Sequence, residues 1–252
     1  MPGILGRSAI ITGAAGGIGF ELVRSFLAGG ASVVMSDVDE PALEAARVRL
    51  AEQGAQEMVA VAGDLSAPGT ADRLVAAALE RFGRLDILVA NAGGGVVRHT
   101  LEHTEETLQA TIDRNLWTTI RSALAVLPHM KEQRYGRLVF MGADSVRNGL
   151  DGHAIYNAAK GGVHAMARGL AREFALDGIT VNVVSPCATR TPDLDRFLSE
   201  DPDLADRFLR VIPMGRPAEL REVASAAIYL ASEEAGFVTG QVLPVNGGST
   251  MV

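Results

Sequence analysis

The run Gly13-Ala-Ala-Gly-Gly-Ile-Gly19 constrains this chain more than any other stretch. It stands between an apolar segment, Arg7-Ser-Ala-Ile-Ile-Thr12, and a helix-like one, Phe20 to Ala28. Strand, glycine turn and helix in that order open a βαβ unit. In such a turn Gly13 permits the tight reversal, Gly17 lets the backbone approach a pyrophosphate, and Gly19 allows the helix to pack closely on the strand. The phosphates would rest on the helix N-terminus, whose free N–H groups and dipole attract anions. The expectation is a dinucleotide site at the start of the chain.

A second buried-looking strand, Ala31-Ser-Val-Val-Met-Ser36, ends at Asp37, 24 residues after Gly13. A carboxylate near that interval meets the hydroxyls of the adenosine ribose. It would repel a 2′-phosphate, and neither the glycine turn nor the residues just after Asp37 supply an Arg or Lys to receive one. The pattern favours NAD over NADP. Asp37 or Asp39 ahead of Pro41 would also cap a helix from Pro41 to Glu52, and Asp39 fits that role better.

Strand-like and helix-like segments then alternate without long linkers or repeats. Met58 to Val61, Leu85 to Ala90, Arg137 to Met141, Ile179 to Val184 and Gln241 to Val245 read as strands. Helices are expected at Thr70 to Phe82, over a long stretch from Glu105 to Arg134 that is either continuous or interrupted and that Pro128 could bend, at Ala154 to Leu176 and at Glu219 to Ala231. Continuous apolar strands between helices imply a parallel α/β sheet covered on both faces, and right-handed crossovers make it doubly wound. From 189 to 217 the pattern turns charged. Because this segment follows the C-terminal end of a strand, where ligands bind in such sheets, it is expected to form a substrate lid.

Tyr156 and Lys160 stand four residues apart, which puts them one turn apart on one helix face. A permanent ammonium held beside a phenol favours the phenolate, so the pair is a candidate proton-transfer group.

Composition sets the outer limits. With 252 residues, 48% of them hydrophobic, the chain can bury a large core as one domain. A formal charge of −7 with scattered basic residues disfavours nucleic acid and anionic membranes as partners. Cys187 is the only cysteine, so no internal disulfide is possible, and with no apolar leader or membrane-length stretch a cytoplasmic home is expected. No histidine pair with zinc spacing accompanies cysteines, so no metal site is expected.

The glycine turn, Asn91-Ala-Gly93, Tyr156-x-x-x-Lys160 and Asn182-Val-Val-Ser-Pro186 occur in that order, and together they make almost the whole chain resemble the short-chain dehydrogenase/reductase family. The resemblance implies a single Rossmann-like domain over 1–252, with a seven-stranded parallel sheet flanked by helices. It implies NAD(P)-dependent interconversion of alcohols and carbonyls, and commonly a homotetramer. By the same resemblance Asp64 and Leu65 contact adenine, Asn91 and Gly93 line the cofactor crevice, Ile18 and Pro186 join the cofactor contacts, and Thr189 and Thr191 suit the nicotinamide carboxamide and nearby phosphate oxygens. Asn115 matches a position whose side chain supports a water-mediated proton relay. Tyr156 exchanges the proton and Lys160 holds the nicotinamide ribose.

Two positions depart from the family. A serine usually lies thirteen residues before the tyrosine, and here that position is Ala143. A methyl group cannot hold a substrate oxygen, which would remove about 2.7 to 4 kcal/mol of transition-state stabilisation. Ser145 or a protonated Asp144 are the candidate substitutes, or the site is weakened. Cys187 stands where glycine often follows the proline, and a reactive thiol there is disfavoured for want of a neighbouring base.

Substrate is less determined. Arg98 and Arg147 follow strands and are candidates to bind a carboxylate or phosphate; His153, three residues before Tyr156, is a candidate substrate contact. The expected activity is NAD-dependent oxidation or reduction of a secondary, cyclic alcohol or its ketone. The alternative is a nucleotide-binding protein that serves as a sensor or assembly partner. The C-terminal run Val245 to Val252 is apolar enough to be buried on a neighbour.

Overall fold

The computed structural model describes residues 2–94, 96–200 and 209–251. Seven short apolar segments pair as parallel strands: β1 (Ser8–Thr12), β2 (Ser32–Ser36), β3 (Met58–Ala60), β4 (Ile87–Ala90), β5 (Gly136–Met141), β6 (Ile179–Pro186) and β7 (Val242–Val245). Their order in the sheet is β3-β2-β1-β4-β5-β6-β7, the seven-stranded Rossmann-like arrangement expected. Successive strand residues point to opposite faces, so the two neighbours Ile10 and Ile11 enter different cores. One face packs Ile11, Val33, Val89 and Val139 under α1 (Gly17–Ala28), α2 (Glu40–Glu52) and the last helix, α9 (Leu220–Ala231). The other packs Ile10, Leu88, Leu138 and Phe140 under α3 (Thr70–Phe82), α5 (Thr118–Glu132) and α7 (Ala154–Phe174). Each fully buried aliphatic side chain contributes about 1.5 to 3 kcal/mol.

The chain leaves β1 toward β2 and β3, then crosses back to place β4 on the other side of β1. That reversal opens a crevice at the C-terminal ends of β1 and β4. Asp39, rather than Asp37, caps α2: its Oδ1 accepts from Ala42 N at 3.0 Å.

The long helical stretch is interrupted, one of the two forms expected for it. The stretch from Glu105 breaks at a π-helical turn, Asp113–Trp117, between α4 (Glu105–Ile112) and α5, while Pro128 lies inside α5 without ending it. Hydroxyls sustain the wide turn. Thr118 Oγ1 donates to Arg114 O at 2.8 Å and Thr119 Oγ1 to Asn115 O at 2.9 Å, taking up carbonyls that the regular ladder leaves.

The C-terminal run makes hydrogen bonds to its own chain, while Met251 stays exposed. Asn246 Nδ2 donates to Asp144 Oδ1 at 2.9 Å and Met214 N to Gly247 O at 3.1 Å. Of the segment from 189 to 217, α8 (Pro192–Glu200) is described, and 201–208 lie outside the described residues. Among the described residues no helix is long and apolar enough to cross a membrane.

Candidate active site

The glycine turn is built by steric necessity. Gly13 has φ +64°, and a Cβ on Gly19 would lie 1.7 Å from Gly13 O, so α1 approaches the turn only because Gly19 has no side chain. Gly16 precedes α1 in an extended conformation with no side-chain cap, which leaves the first helical N–H groups free for an anion. The crevice, about 920 Å³, is lined here by Gly13, Gly16, Ile18 and Gly19. Gly17 opens α1. Its φ of +52° is the left-handed conformation that favours glycine.

Asp37, Asp64, Leu65, Asn91, Gly93, Pro186, Thr189 and Thr191 all line the same crevice. Asp37 braces the turn as well, accepting from Ala15 N at 3.0 Å. The Asn91 amide is committed to the turn, donating to Thr12 O and Gly13 O at 3.0 Å. At Gly93 a Cβ would stand 2.9 Å from Asn115 Oδ1 and 3.2 Å from Lys160 Nζ, so this glycine clears the space between them. Arg114, which the sequence reading missed, also faces the crevice from the π-helical turn.

Asn115 is fully buried, and its side chain is occupied. Nδ2 donates to Gly94 O at 3.0 Å and Thr111 O at 2.9 Å, and Oδ1 accepts from Gly94 N at 3.3 Å. It therefore clamps the loop after β4 to the π-helical turn.

Tyr156 and Lys160 occupy one face of α7 and line the crevice together. Lys160 Nζ donates to Met141 O at 2.9 Å. Their electrostatics correct the expectation of a permanent ammonium beside a lowered phenol: burial pushes Tyr156 up to about 12 and Lys160 down to about 8. In the protein alone Tyr156 keeps its proton across the neutral range, while Lys160 holds its charge only below about pH 8.

A side cavity of about 170 Å³ adjoins the crevice, sharing Ala143, Tyr156, Pro186 and Cys187 with it and adding Ser145 and His153. Ala143 puts its methyl group at this junction. Its N–H faces His164 Nε2 at 3.4 Å, and His164 is a buried imidazole pushed down to about 4, first by burial and then by Arg147, Arg168 and Lys160. No motif in the sequence marked His164. Ser145 lines the cavity, but its Oγ donates to Asn157 Oδ1 at 2.6 Å, so its proton is engaged. Asp144 is no substitute either, because Asn246 Nδ2 at 2.9 Å and Thr250 Oγ1 at 2.5 Å hold its Oδ1. Burial pushes the Cys187 thiol up to about 11, which keeps it protonated and unreactive.

The two arginines do not belong to the site. Arg98 Nη1 turns to Glu102 O at 3.3 Å and Arg147 Nη2 to Val242 O at 3.4 Å, and neither lines the crevice or the side cavity.

Comparison with known proteins agrees with this geometry. The profile of a family described as enoyl-(acyl carrier protein) reductase matches residues 13–250. A 2,3-dihydroxy-2,3-dihydro-p-cumate dehydrogenase of Pseudomonas putida is 55% identical over 247 residues, 98% of this chain and 95% of that protein. The (2S)-[(R)-hydroxy(phenyl)methyl]succinyl-CoA dehydrogenase subunit BbsD of Thauera aromatica is 36% identical over 249 residues, 99% of this chain and 98% of its own. Among solved structures, levodione reductase aligns with a TM-score of 0.91 at 29% identity, over 97% of this chain and 98% of that one.

Proposed function

The chain belongs to the short-chain dehydrogenase/reductase family of oxidoreductases, and from that premise we propose that it interconverts a cyclic secondary alcohol and its ketone with NAD. The observation that carries this reading is the junction at Tyr156, where a crevice of about 920 Å³ meets a small side cavity. The relative at 55% identity is named for a ring bearing two adjacent hydroxyls, which supports a ring diol as the substrate class.

The residues present fit the cofactor. The uncapped N-terminus of α1 and the glycine cradle suit its pyrophosphate, Asp37 its adenosine ribose, Asp64 and Leu65 its adenine, and Thr189 and Thr191 its nicotinamide end. NAD when bound supplies the hydride acceptor. Tyr156 takes the hydroxyl proton of the alcohol in oxidation and returns it in reduction. Lys160 holds the ribose hydroxyls and, once charged, lowers the barrier to ionising Tyr156. Burial opposes both charges, so the pair becomes competent when compensating charge enters the crevice. Asn115 keeps the loop at Gly93 and Gly94 in place beside Lys160. Residues 189–200 and 209–217 of the charged segment belong to a lid over the substrate, 201–208 lying outside the described residues, and the protein works as a cytoplasmic homotetramer.

One observation favours a second reading. With a methyl group at Ala143 and the Ser145 proton held by Asn157, neither of these two positions offers a free hydroxyl to the substrate oxygen, as in a nucleotide-binding sensor or assembly partner that has lost turnover. Formation of reduced NAD with a panel of cyclic and aliphatic secondary alcohols separates the two. Turnover of ring alcohols supports the enzyme; tight NAD binding without turnover, before and after Ala143→Ser, supports the sensor.

A further inference from the structure

His153 is the side-cavity residue for which the proton transfer described above has no use. It lines the cavity with Ala143 and Tyr156, and its ring meets that of Tyr156 edge-on, with centroids 6.0 Å apart and planes at 79°. Its Nδ1 lies 2.7 Å from Asp151 O. A carbonyl only accepts, so Nδ1 carries the proton, and in the neutral ring Nε2 keeps a lone pair. No described residue hydrogen-bonds that Nε2.

The rest of the lining narrows what the cavity takes. Its volume of about 170 Å³ compares with the cavity of about 150 Å³ that admits benzene, so it holds one ring. It contains no Lys or Arg among the described residues, and an acid group on the substrate finds no cation there. Several other polar groups are engaged: Ser145 Oγ donates to Asn157, Asp144 Oδ1 accepts from Asn246 and Thr250, and Asn148 Nδ2 donates to Ser249 Oγ at 3.1 Å.

We propose that His153 Nε2 accepts the hydrogen bond of the second hydroxyl of a vicinal ring diol whose first hydroxyl is oxidised at Tyr156. His153 is thereby the residue that selects diols over simple alcohols. This rests on the alcohol-oxidation reading above. In the reaction the first hydroxyl gives its proton to Tyr156 and its carbon gives a hydride to NAD, which is reduced. The diol becomes an α-hydroxyketone, and the second hydroxyl and its carbon leave unchanged.

The test compares cis-1,2-cyclohexanediol with cyclohexanol at mildly alkaline pH, in the wild type, His153→Ala and His153→Gln. His153→Ala is expected to lower kcat/KM for the diol by about ten- to hundred-fold, the usual effect of leaving a hydroxyl unpaired, and to change that for cyclohexanol by less than about threefold. His153→Gln, which keeps an acceptor, recovers part of the diol activity. Equal losses on both alcohols, or none on the diol, overturn the proposal.

A wild type that oxidises neither alcohol counts against the enzyme reading, and His153 is then judged by a measurement that needs no turnover. With NAD present, the Nε2 resonance of ¹⁵N-histidine-labelled protein, assigned with His153→Gln, is followed on adding catechol or phenol. A shift toward the hydrogen-bonded position with catechol and not with phenol supports the contact. A resonance unmoved by catechol overturns it.

Discussion

Lys160 holds its Nζ 5.9 Å from the ring centre of Tyr156 while donating to the carbonyl of Met141 at 2.9 Å. Burial penalises charge on either group, pushing the phenol up to about 12 and the amine down to about 8. The free protein therefore carries an electrostatic penalty that cofactor and substrate relieve, and stability is set against function at this pair.

The penalty has a definite pH dependence. Below about pH 8 the folded protein holds a charged, buried ammonium, and the cost is complete. Between about pH 8 and the ordinary value of 10.5 the unfolded chain keeps a proton that the folded chain releases, so stability rises with pH through that window. Lys160→Met removes the effect at the price of leaving the Met141 carbonyl unpaired. We expect the free variant to be more stable than wild type by about 2 kcal/mol at neutral pH, with the gap closing toward pH 10.5. Thermal unfolding across that range measures it.

Ala143 lies where the crevice meets the side cavity, with its N–H toward His164. On the proposed function, Ala143→Ser would add a hydroxyl where the substrate oxygen is held. It is expected to raise kcat by about ten- to hundred-fold with little change in KM, because the added hydrogen bond strengthens as charge develops. Steady-state kinetics on a ring alcohol reads this, and an unchanged kcat means that another donor already serves.

Asp37 should decide between the two nicotinamide cofactors. Its carboxylate faces the crevice and would repel a 2′-phosphate, so kcat/KM for NAD is expected to exceed that for NADP by about a hundredfold. Asp37→Ala removes the repulsion and also a brace on Ala15 N. It should weaken NAD by about tenfold and bring the ratio near one. A ratio unmoved by the substitution would show that the carboxylate plays no part in the choice.

The backbone-level design was legible because it is written in local signals. Gly13 and Gly19 mark the turn that only glycine fits, and Ile10 and Ile11 announce a strand buried on both faces. An interruption of the helix after Glu105 was legible as an alternative, but its place at Asp113–Trp117 was not, because Thr118 and Thr119 look like ordinary helix residues. Long-range polar pairing was equally hidden. Asp144 and Asn246 are 102 positions apart, and nothing local announces that one carboxylate anchors the C-terminal run. The arginines at 98 and 147 failed for a related reason: sequence gives a side chain's position along a strand end, and packing decides which way it turns. The pKa directions of Tyr156 and Lys160 depended on burial, which spacing on a helix does not report.

The most direct test of the account is Tyr156→Phe, assayed by reduction of NAD with a ring diol and by NAD binding in the same preparation. The account predicts a loss of about 10² to 10⁴ in kcat with NAD affinity within a few-fold of wild type. Full turnover without the phenolic hydroxyl would contradict it.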